Sequence, residues 1–385
     1  MNKKIWSLVL CLILAITAFF MNLILPKTVQ CILLADDQIE AKGAVVIEAE
    51  TGRVLLEKNK DKQLPMASTT KIMTALVAIE NTSNLDEVFA TDNRAVGIEG
   101  TSIYLKNDEH LSMRQLLLGL MLASGNDASL AIAYKVGGGD LDKFVDMMNN
   151  KAKQLNLHNT HFDNPHGLDS KTHYTSAYDL AVITATAMKS KDFRNIVKTK
   201  VAQIPSAKVG ENRFLRNKHK LLFSGLDGCE GVKTGFTDNA LRCCVTSCYQ
   251  QNMRLISVVL NCPDMFDVSK QIILHCYKNY VYQNLLEANK YVDSIAVENG
   301  KLDSVKTYTK QAFYYPLKAS ELEQINSKVV MQTKLQAPIK KDSEVGEYKI
   351  YLDKDLIFST KIYTMEDVEQ KDYTQKVKDI VENWY

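Results

Sequence analysis

Three small clusters of side chains have types and spacing suited to acyl transfer. The first is Ser68-Thr69-Thr70-Lys71. A serine hydroxyl is a weak nucleophile at neutral pH and needs a base. A lysine amine can be that base once burial or a nearby positive charge lowers its proton affinity. Residues three apart on a helix share a face, so Lys71 can reach the Ser68 hydroxyl. Pro65 upstream, with Ile72, Met73, Leu76, Val77 and Ile79 at helical period, predicts a helix that opens at Ser68. Four residues of this kind occur by chance in many chains, so the weight falls on the other clusters. The second is Ser124-Gly125-Asn126, and the third is Lys233-Thr234-Gly235.

The elements around them are legible. Gly43–Glu48 and Val54–Glu57 read as a hairpin across Glu50-Thr51-Gly52. Residues 92–108 read as loop. Met113–Leu122 is apolar all round, which predicts a buried helix. It breaks off at Ser124, and a second helix is expected from Ala128 to about Val136. An amphipathic helix carries Leu141, Phe144, Val145, Met148 and Leu155. Asn159–Tyr174 is polar and irregular, and Thr175 or Ser176 caps the next helix. Gly231–Phe236, Arg242–Cys248 and Arg254–Leu260 read as strands, the last two joined at Gln250-Gln251-Asn252, with a helix over Val268–Leu286 to follow. Strands at both ends with helices between them predict one sheet covered by helices, an α/β sandwich. From about Ala288 the pattern is all β.

Ser-x-x-Lys, Ser-x-Asn and Lys-Thr-Gly, in this order and on these elements, resemble the motif set of penicillin-binding proteins and serine β-lactamases. Asn164-Pro165-His166-Gly167-Leu168-Asp169, His173–Leu180, Gly231–Thr237, and Ala337-Pro338-Ile339-Lys340-Lys341 with the later Val345-Gly346-Glu347 resemble the low-molecular-mass D-alanyl-D-alanine carboxypeptidases. The resemblance runs from about Gly43 to the tail. It implies an α/β fold of β-lactamase/transpeptidase type, an antiparallel sheet covered by helices, plus a small all-β C-terminal domain. It also implies a serine carboxypeptidase acting on peptidoglycan stem peptides that end in D-Ala-D-Ala, acylated by β-lactams, with no metal or other cofactor.

The chemistry assigns roles on that basis. Ser68 attacks the carbonyl between the two alanines and Lys71 takes its proton, with Lys233 lowering the Lys71 proton affinity by like-charge repulsion. The Ser68 N–H and a strand N–H after Gly235 form the oxyanion hole. Gly235 has no side chain to block substrate from the strand edge. Ser124 relays a proton to the leaving D-Ala, and Asn126 binds the substrate amide. Thr234 and Thr237 bind the terminal carboxylate with Lys233. Phe236 stands where some relatives carry histidine, and Lys218 and His219 are candidates for a further cation near the carboxylate pocket. His166, His173 and Asp179 read as structural.

A class A β-lactamase needs a glutamate to activate the deacylating water. Between Ser124 and Lys233 the first glutamate is Glu211, far past the expected loop. A non-catalytic β-lactam or muropeptide sensor is the reading from another class, and the complete motifs oppose it. Endopeptidase action on crosslinked peptides would use the same site.

Composition sets the outer bounds. With 47 basic and 45 acidic residues the net charge is +2, which gives no footprint for nucleic acid. Lys3 and Lys4 precede an apolar run from Ile5 to Leu25, an export pattern that reads as either a signal peptide or a retained membrane anchor over residues 1–35. Exported, the enzyme would work on the outer face of the cytoplasmic membrane or in the wall. The catalytic domain is expected at 36–287 and a β-sandwich-like domain at 288–364. An amphipathic helix at 365–385, with Tyr373, Val377, Ile380, Val381 and Trp384 at helical spacing, would suit a membrane surface. Of eight cysteines, six (Cys229, Cys243, Cys244, Cys248, Cys262, Cys276) follow the export segment. Their fifteen pairings are open, free thiols are equally consistent, and Cys243-Cys244-x-x-x-Cys248 is not a zinc spacing.

Overall fold

The computed structural model describes residues 39–208 and 210–382, so the export segment lies outside the described residues. Strands β1 (Gly43–Glu48) and β2 (Val54–Lys58) form the opening hairpin. The buried Glu48 carboxylate shapes its turn by accepting the N–H groups of Glu50 and Thr51 and the Thr51 hydroxyl. A 3₁₀ turn, Ala67–Thr70, leads into α1 (Lys71–Glu80). The short ribbon of β3 (Val88–Ala90) and β4 (His110–Ser112) precedes α2 (Met113–Leu118), α3 (Asn126–Gly137) and α4 (Leu141–Gln154). Helices α5 (Ala177–Met188) and α6 (Lys191–Lys198) start at serine caps, Ser176 and Ser190, whose hydroxyls accept from the N–H groups of Asp179 and Phe193. The ribbon β5 (Val201–Pro205) and β6 (Asn212–Arg216) is followed by three long strands, β7 (Cys229–Thr237), β8 (Leu241–Gln250) and β9 (Met253–Leu260), and by α7 (Met265–Asn279).

These strands make a five-stranded antiparallel sheet in the order β2-β1-β9-β8-β7. Alternation decides its two faces. Val45, Ile47, Val245 and Val258 point into the larger core with α1, α3 and α5, while Ala44, Val46, Cys244 and Val259 point into a second core beneath α7. A sheet buried on both faces needs near-continuous apolar strands, and Arg254–Leu260 supplies one. The consequence for function is that β7 is an edge strand.

Beyond α7 the chain is β-rich. Strand β10 (Val281–Leu286) is followed by β11 (Tyr291–Glu298), β12 (Ser304–Thr309), β13 (Phe313–Leu317), β14 (Ile325–Met331), β15 (Lys334–Gln336), β16 (Glu344–Leu352) and β17 (Asp355–Thr364), and then by α8 (Tyr373–Glu382). Six of these strands form a sheet in the order β14-β16-β17-β12-β11-β15, and β10 pairs with β13 as a separate ribbon. Arg53 ties the hairpin of the first sheet to this region. Its guanidinium donates to Pro316 O and to Glu321 Oε1 (2.5 Å), and it lies over the rings of Tyr280 and Tyr315 at 5.4 and 4.9 Å.

The structure departs from the sequence reading in several places. The helix expected over Val268–Leu286 stops at Asn279. Tyr280 is extended (φ −121°, ψ 138°) and its hydroxyl bonds Leu55 O, so the β-branched and aromatic residues after it leave as β10. Ser68 sits in the 3₁₀ turn ahead of α1 rather than on the α-helix itself. The run Met113–Leu122 is α-helical only to Leu118 and then widens into a π turn, Gly119–Ala123. Helix α6 and the β3–β4 and β5–β6 ribbons are too short for an apolar period to mark them in the sequence. The terminal helix begins at Tyr373, because Val368 is buried in a bridge to Ile339.

Candidate active site

Lys71 is the centre of the arrangement. It is fully buried, and its amine lies 2.9 Å from Ser68 Oγ, 2.8 Å from Asn126 Oδ1 and 2.5 Å from His166 O. The last two partners only accept hydrogen bonds. A neutral amine has two N–H donors and one lone pair. The two carbonyl-type oxygens take the donors, which leaves the lone pair for the Ser68 hydroxyl proton. Burial, then the positive charges of Lys233 and Lys218, hold the Lys71 ammonium well below the ordinary lysine range, with Asp127 opposing weakly. The fold therefore favours the form of Lys71 that can act as a base.

The 3₁₀ turn that presents Ser68 is braced from several sides. Ala67 takes up a left-handed conformation (φ 48°), which an L-residue holds only when its surroundings impose it. The Thr69 hydroxyl donates to Met66 O (2.6 Å) and the Thr70 hydroxyl to Ala67 O (2.8 Å). His173 completes the chain. Its Nδ1 accepts from the Asp163 N–H, so the proton is on Nε2, which meets Thr70 Oγ1 at 2.7 Å. Gly167 closes against the same turn at φ 89°, where a Cβ would fall 2.0 Å from Ala67 O. The structure thus gives His173, and His166 through its carbonyl, a structural part, and Asp179 likewise, its carboxylate accepting from the Asn159 N–H and the Thr160 hydroxyl.

The second cluster is fixed by the π turn. Ser124 ends it in a left-handed conformation (φ 67°, ψ 33°) and is 5% exposed. Such widened turns recur at functional sites because they re-aim one residue without breaking the helix. Ser124 is not one of the three hydrogen-bond partners of Lys71. Asn126 is held at both ends of its amide, its Nδ2 donating to Glu99 O at 2.7 Å. Asp127, which no motif includes, fastens the neighbouring loop: its carboxylate accepts the N–H groups of Ile103 and Leu105 (both 3.0 Å) and the Ser102 hydroxyl (2.5 Å).

The third cluster comes in along the open edge of β7. A Cβ on Gly235 would lie 3.0 Å from both Ser68 N and Met66 O, so glycine lets the strand pass this close to the Ser68 turn. Lys233 is 1% exposed, its amine donates to Thr234 O at 2.9 Å, and burial beside Lys218 pushes its pKa down to about 7. Lys218, whose own N–H bonds Leu122 O, belongs to the same cationic cluster and is itself lowered by partial burial. His219 points the other way, its Nε2 donating to Val245 O within the sheet. Thr237 is engaged by its own neighbours. Its hydroxyl donates to Asp169 (2.9 Å) while accepting the Ala240 N–H, so strand and loop are latched together there.

A serine nucleophile with a buried lysine base, on a helix-covered antiparallel sheet, defines a class of acyl-transfer enzymes. Comparison with known proteins narrows it. The D-alanyl-D-alanine carboxypeptidase family, peptidase S11, matches residues 30–264, and the C-terminal domain of penicillin-binding protein 5 matches residues 280–370. The chain belongs to the D-alanyl-D-alanine carboxypeptidase family. It is similar to the D-alanyl-D-alanine carboxypeptidase DacF of Bacillus subtilis, 31% identical over 353 residues and 90% of each chain. A D-alanyl-D-alanine carboxypeptidase of a Streptomyces species is 36% identical over 236 residues, 58% of this chain and 81% of that one. Among solved structures, penicillin-binding protein 5 from Haemophilus influenzae superposes with a TM-score of 0.73 at 28% identity, covering 86% of this chain and 98% of that one.

Proposed function

We propose that this serine-type D-Ala-D-Ala carboxypeptidase works through an acyl-enzyme on Ser68. Lys71 takes the Ser68 proton as Oγ adds to the carbonyl carbon between the two alanines. The Ser68 N–H and a β7 N–H beyond Gly235 receive the developing oxyanion, and removing one such donor would cost about 3 kcal/mol. Ser124 passes a proton to the departing D-Ala nitrogen. Asn126 orients the substrate amide, while Lys233, Thr234 and Thr237 hold the terminal carboxylate. Water then attacks the ester with Lys71 again as base, and the shortened stem peptide leaves. A β-lactam follows the first half of this path and remains as a slowly hydrolysed ester. The observation that carries the reading is the Lys71 amine, 2.9 Å from Ser68 Oγ and with both its donors already used.

The same reading takes the protein across the cytoplasmic membrane by its N-terminal Lys3-Lys4 and apolar run. Helix α8 supports contact with the membrane surface: Tyr373, Val377 and Val381, one turn apart, are 83%, 43% and 54% exposed.

Intact-mass spectrometry after brief exposure to benzylpenicillin tests the chemistry. One persistent adduct on the wild-type protein, absent from Ser68→Ala, is expected. Rapid penicillin hydrolysis with no adduct would make the protein a β-lactamase. Neither adduct nor hydrolysis would leave a binding protein and sink the mechanism. Flotation with anionic vesicles, with and without residues 365–385, tests the membrane contact.

A further inference from the structure

Six cysteines among the described residues are free thiols, and two of them face each other. Cys229 on β7 and Cys248 on β8 are direct cross-strand partners. Their backbone bonds show which kind of partners they are. Cys229 N–H donates to Leu226 O, so it is not given to Cys248 O, which accepts the Tyr277 hydroxyl at 2.7 Å. One step outward, Tyr249 N–H donates to Gly228 O at 2.8 Å. Cys229 and Cys248 thus occupy a non-hydrogen-bonded site of the ladder, where opposed Cα atoms approach to about 4.5 Å and side chains are closest. That lies within the span a disulfide bridges.

Access differs between the two. Cys248 is fully buried, while Cys229 is only partly so. The Cys248 thiol beside it also lowers the Cys229 pKa. The thiol that a soluble oxidant can reach is therefore the one more readily ionised, and its resolving partner stands directly behind it. The remaining cysteines have neither property. Cys243, Cys244, Cys262 and Cys276 are buried, and burial pushes their thiols up to about 12, 11, 12 and 12. Cys243 and Cys244 are adjacent on β8 and face opposite cores.

We propose that Cys229 and Cys248 are a redox-active pair that closes to a disulfide across β7 and β8 when a small-molecule disulfide is present as oxidant. The Cys229 thiolate attacks one sulfur of the oxidant, displaces one thiolate and forms a mixed disulfide. Cys248 loses its proton and attacks the Cys229 sulfur, displacing the second thiolate. One S–S bond is broken and one is formed. The two cysteines give up two electrons and two protons, and the oxidant leaves as two thiols. The bond staples the start of the strand whose far half carries Lys233 and Gly235. Closing the loop between residues 229 and 248 raises the thermal midpoint by about 5 °C.

The test treats the full chain with glutathione disulfide, alkylates the native protein, and maps the thiols by peptide mass spectrometry. The expected product is a peptide pair joined through Cys229 and Cys248, reversed by dithiothreitol, with the four other cysteines alkylated only after unfolding. Cys248→Ser is expected to stop at a glutathione adduct on Cys229, and Cys229→Ser to remain unoxidised. Benzylpenicillin acylation reports whether each variant is folded, and the wild-type map stands without them. The proposal fails if Cys229 of the wild type accumulates glutathione without resolving or joins another cysteine. It fails equally if both thiols still take up the alkylating agent.

Discussion

At Lys71 the two carbonyl-type partners matter as much as the missing proton. They fix which way the lone pair points, and burial beside Lys233 and Lys218 keeps that lone pair free. A base of this kind works only when neutral, so acylation is lost as pH falls through its depressed pKa. In the proposed mechanism carboxylate binding needs Lys233 protonated, a state lost as pH rises past about 7. The second-order rate constant for benzylpenicillin acylation is therefore expected to be bell-shaped in pH, with apparent values that belong to the lysine cluster. Lys233→Arg, which stays charged, should remove the alkaline limb. Lys71→Arg cannot accept the proton and should slow acylation by about 10²–10⁴-fold in stopped-flow measurements.

The elements act on the site through two glycines with separable effects. A Cβ on Gly235 would come within 3.0 Å of Ser68 N and Met66 O across the edge of β7, and its φ lies outside the left-handed region. Gly235→Ala should push strand and turn apart by a few tenths of an ångström and slow acylation by about 10²-fold, leaving the thermal midpoint close to wild type. Gly167 is positioned differently, since it combines φ 89° with a Cβ that would overlap Ala67 O. Gly167→Ala should lose about 3 kcal/mol of stability together with acylation. Calorimetry beside the acylation assay separates the two outcomes. Acylation at the wild-type rate in Gly235→Ala would show that the approach of β7 does not form the oxyanion site.

Over the whole molecule, three buried histidines set the acid limit. His166, His173 and His219 are pushed down to about 3, 4 and 4, mainly by burial. All three are neutral in the folded protein and regain a value near 6.5 when it unfolds. Between pH 6.5 and 4 the unfolded chain binds more protons, so stability present above 6.5 is lost as pH falls. A thermal midpoint that declines steadily from pH 6.5 to 4, with a shallower decline in His219→Asn, is expected from scanning calorimetry. Arg53 acts at the same scale. Removing its guanidinium takes a donor from Glu321 Oε1 and from Pro316 O and uncovers Tyr280 and Tyr315. Arg53→Ala should cost about 2 kcal/mol in denaturant unfolding.

The sequence by itself determined the chemistry available and the order of the parts. In the proposed mechanism Ser68, Lys71, Ser124, Asn126, Lys233, Thr234 and Gly235 carry it in their types, and local spacing assigned them to a helix start, a break between helices and a strand. Short apolar runs bounded by turn residues made the strands of the sheet legible, and the two-residue turn at Gln251-Asn252, both at positive φ, is local chemistry as well. Tertiary structure decided what local pattern does not encode. It brought His166 O to Lys71 from 95 residues away, recruited Asp127 and Asp169, and turned Thr237 toward a carboxylate. It opened the π turn at Ser124 and ended α7 early at Tyr280, because contacts from distant strands outweighed helical periodicity. The proton affinity of Lys71 is likewise a tertiary quantity. It arises from desolvation and from charges on two other segments, which exist only once the chain has folded around it.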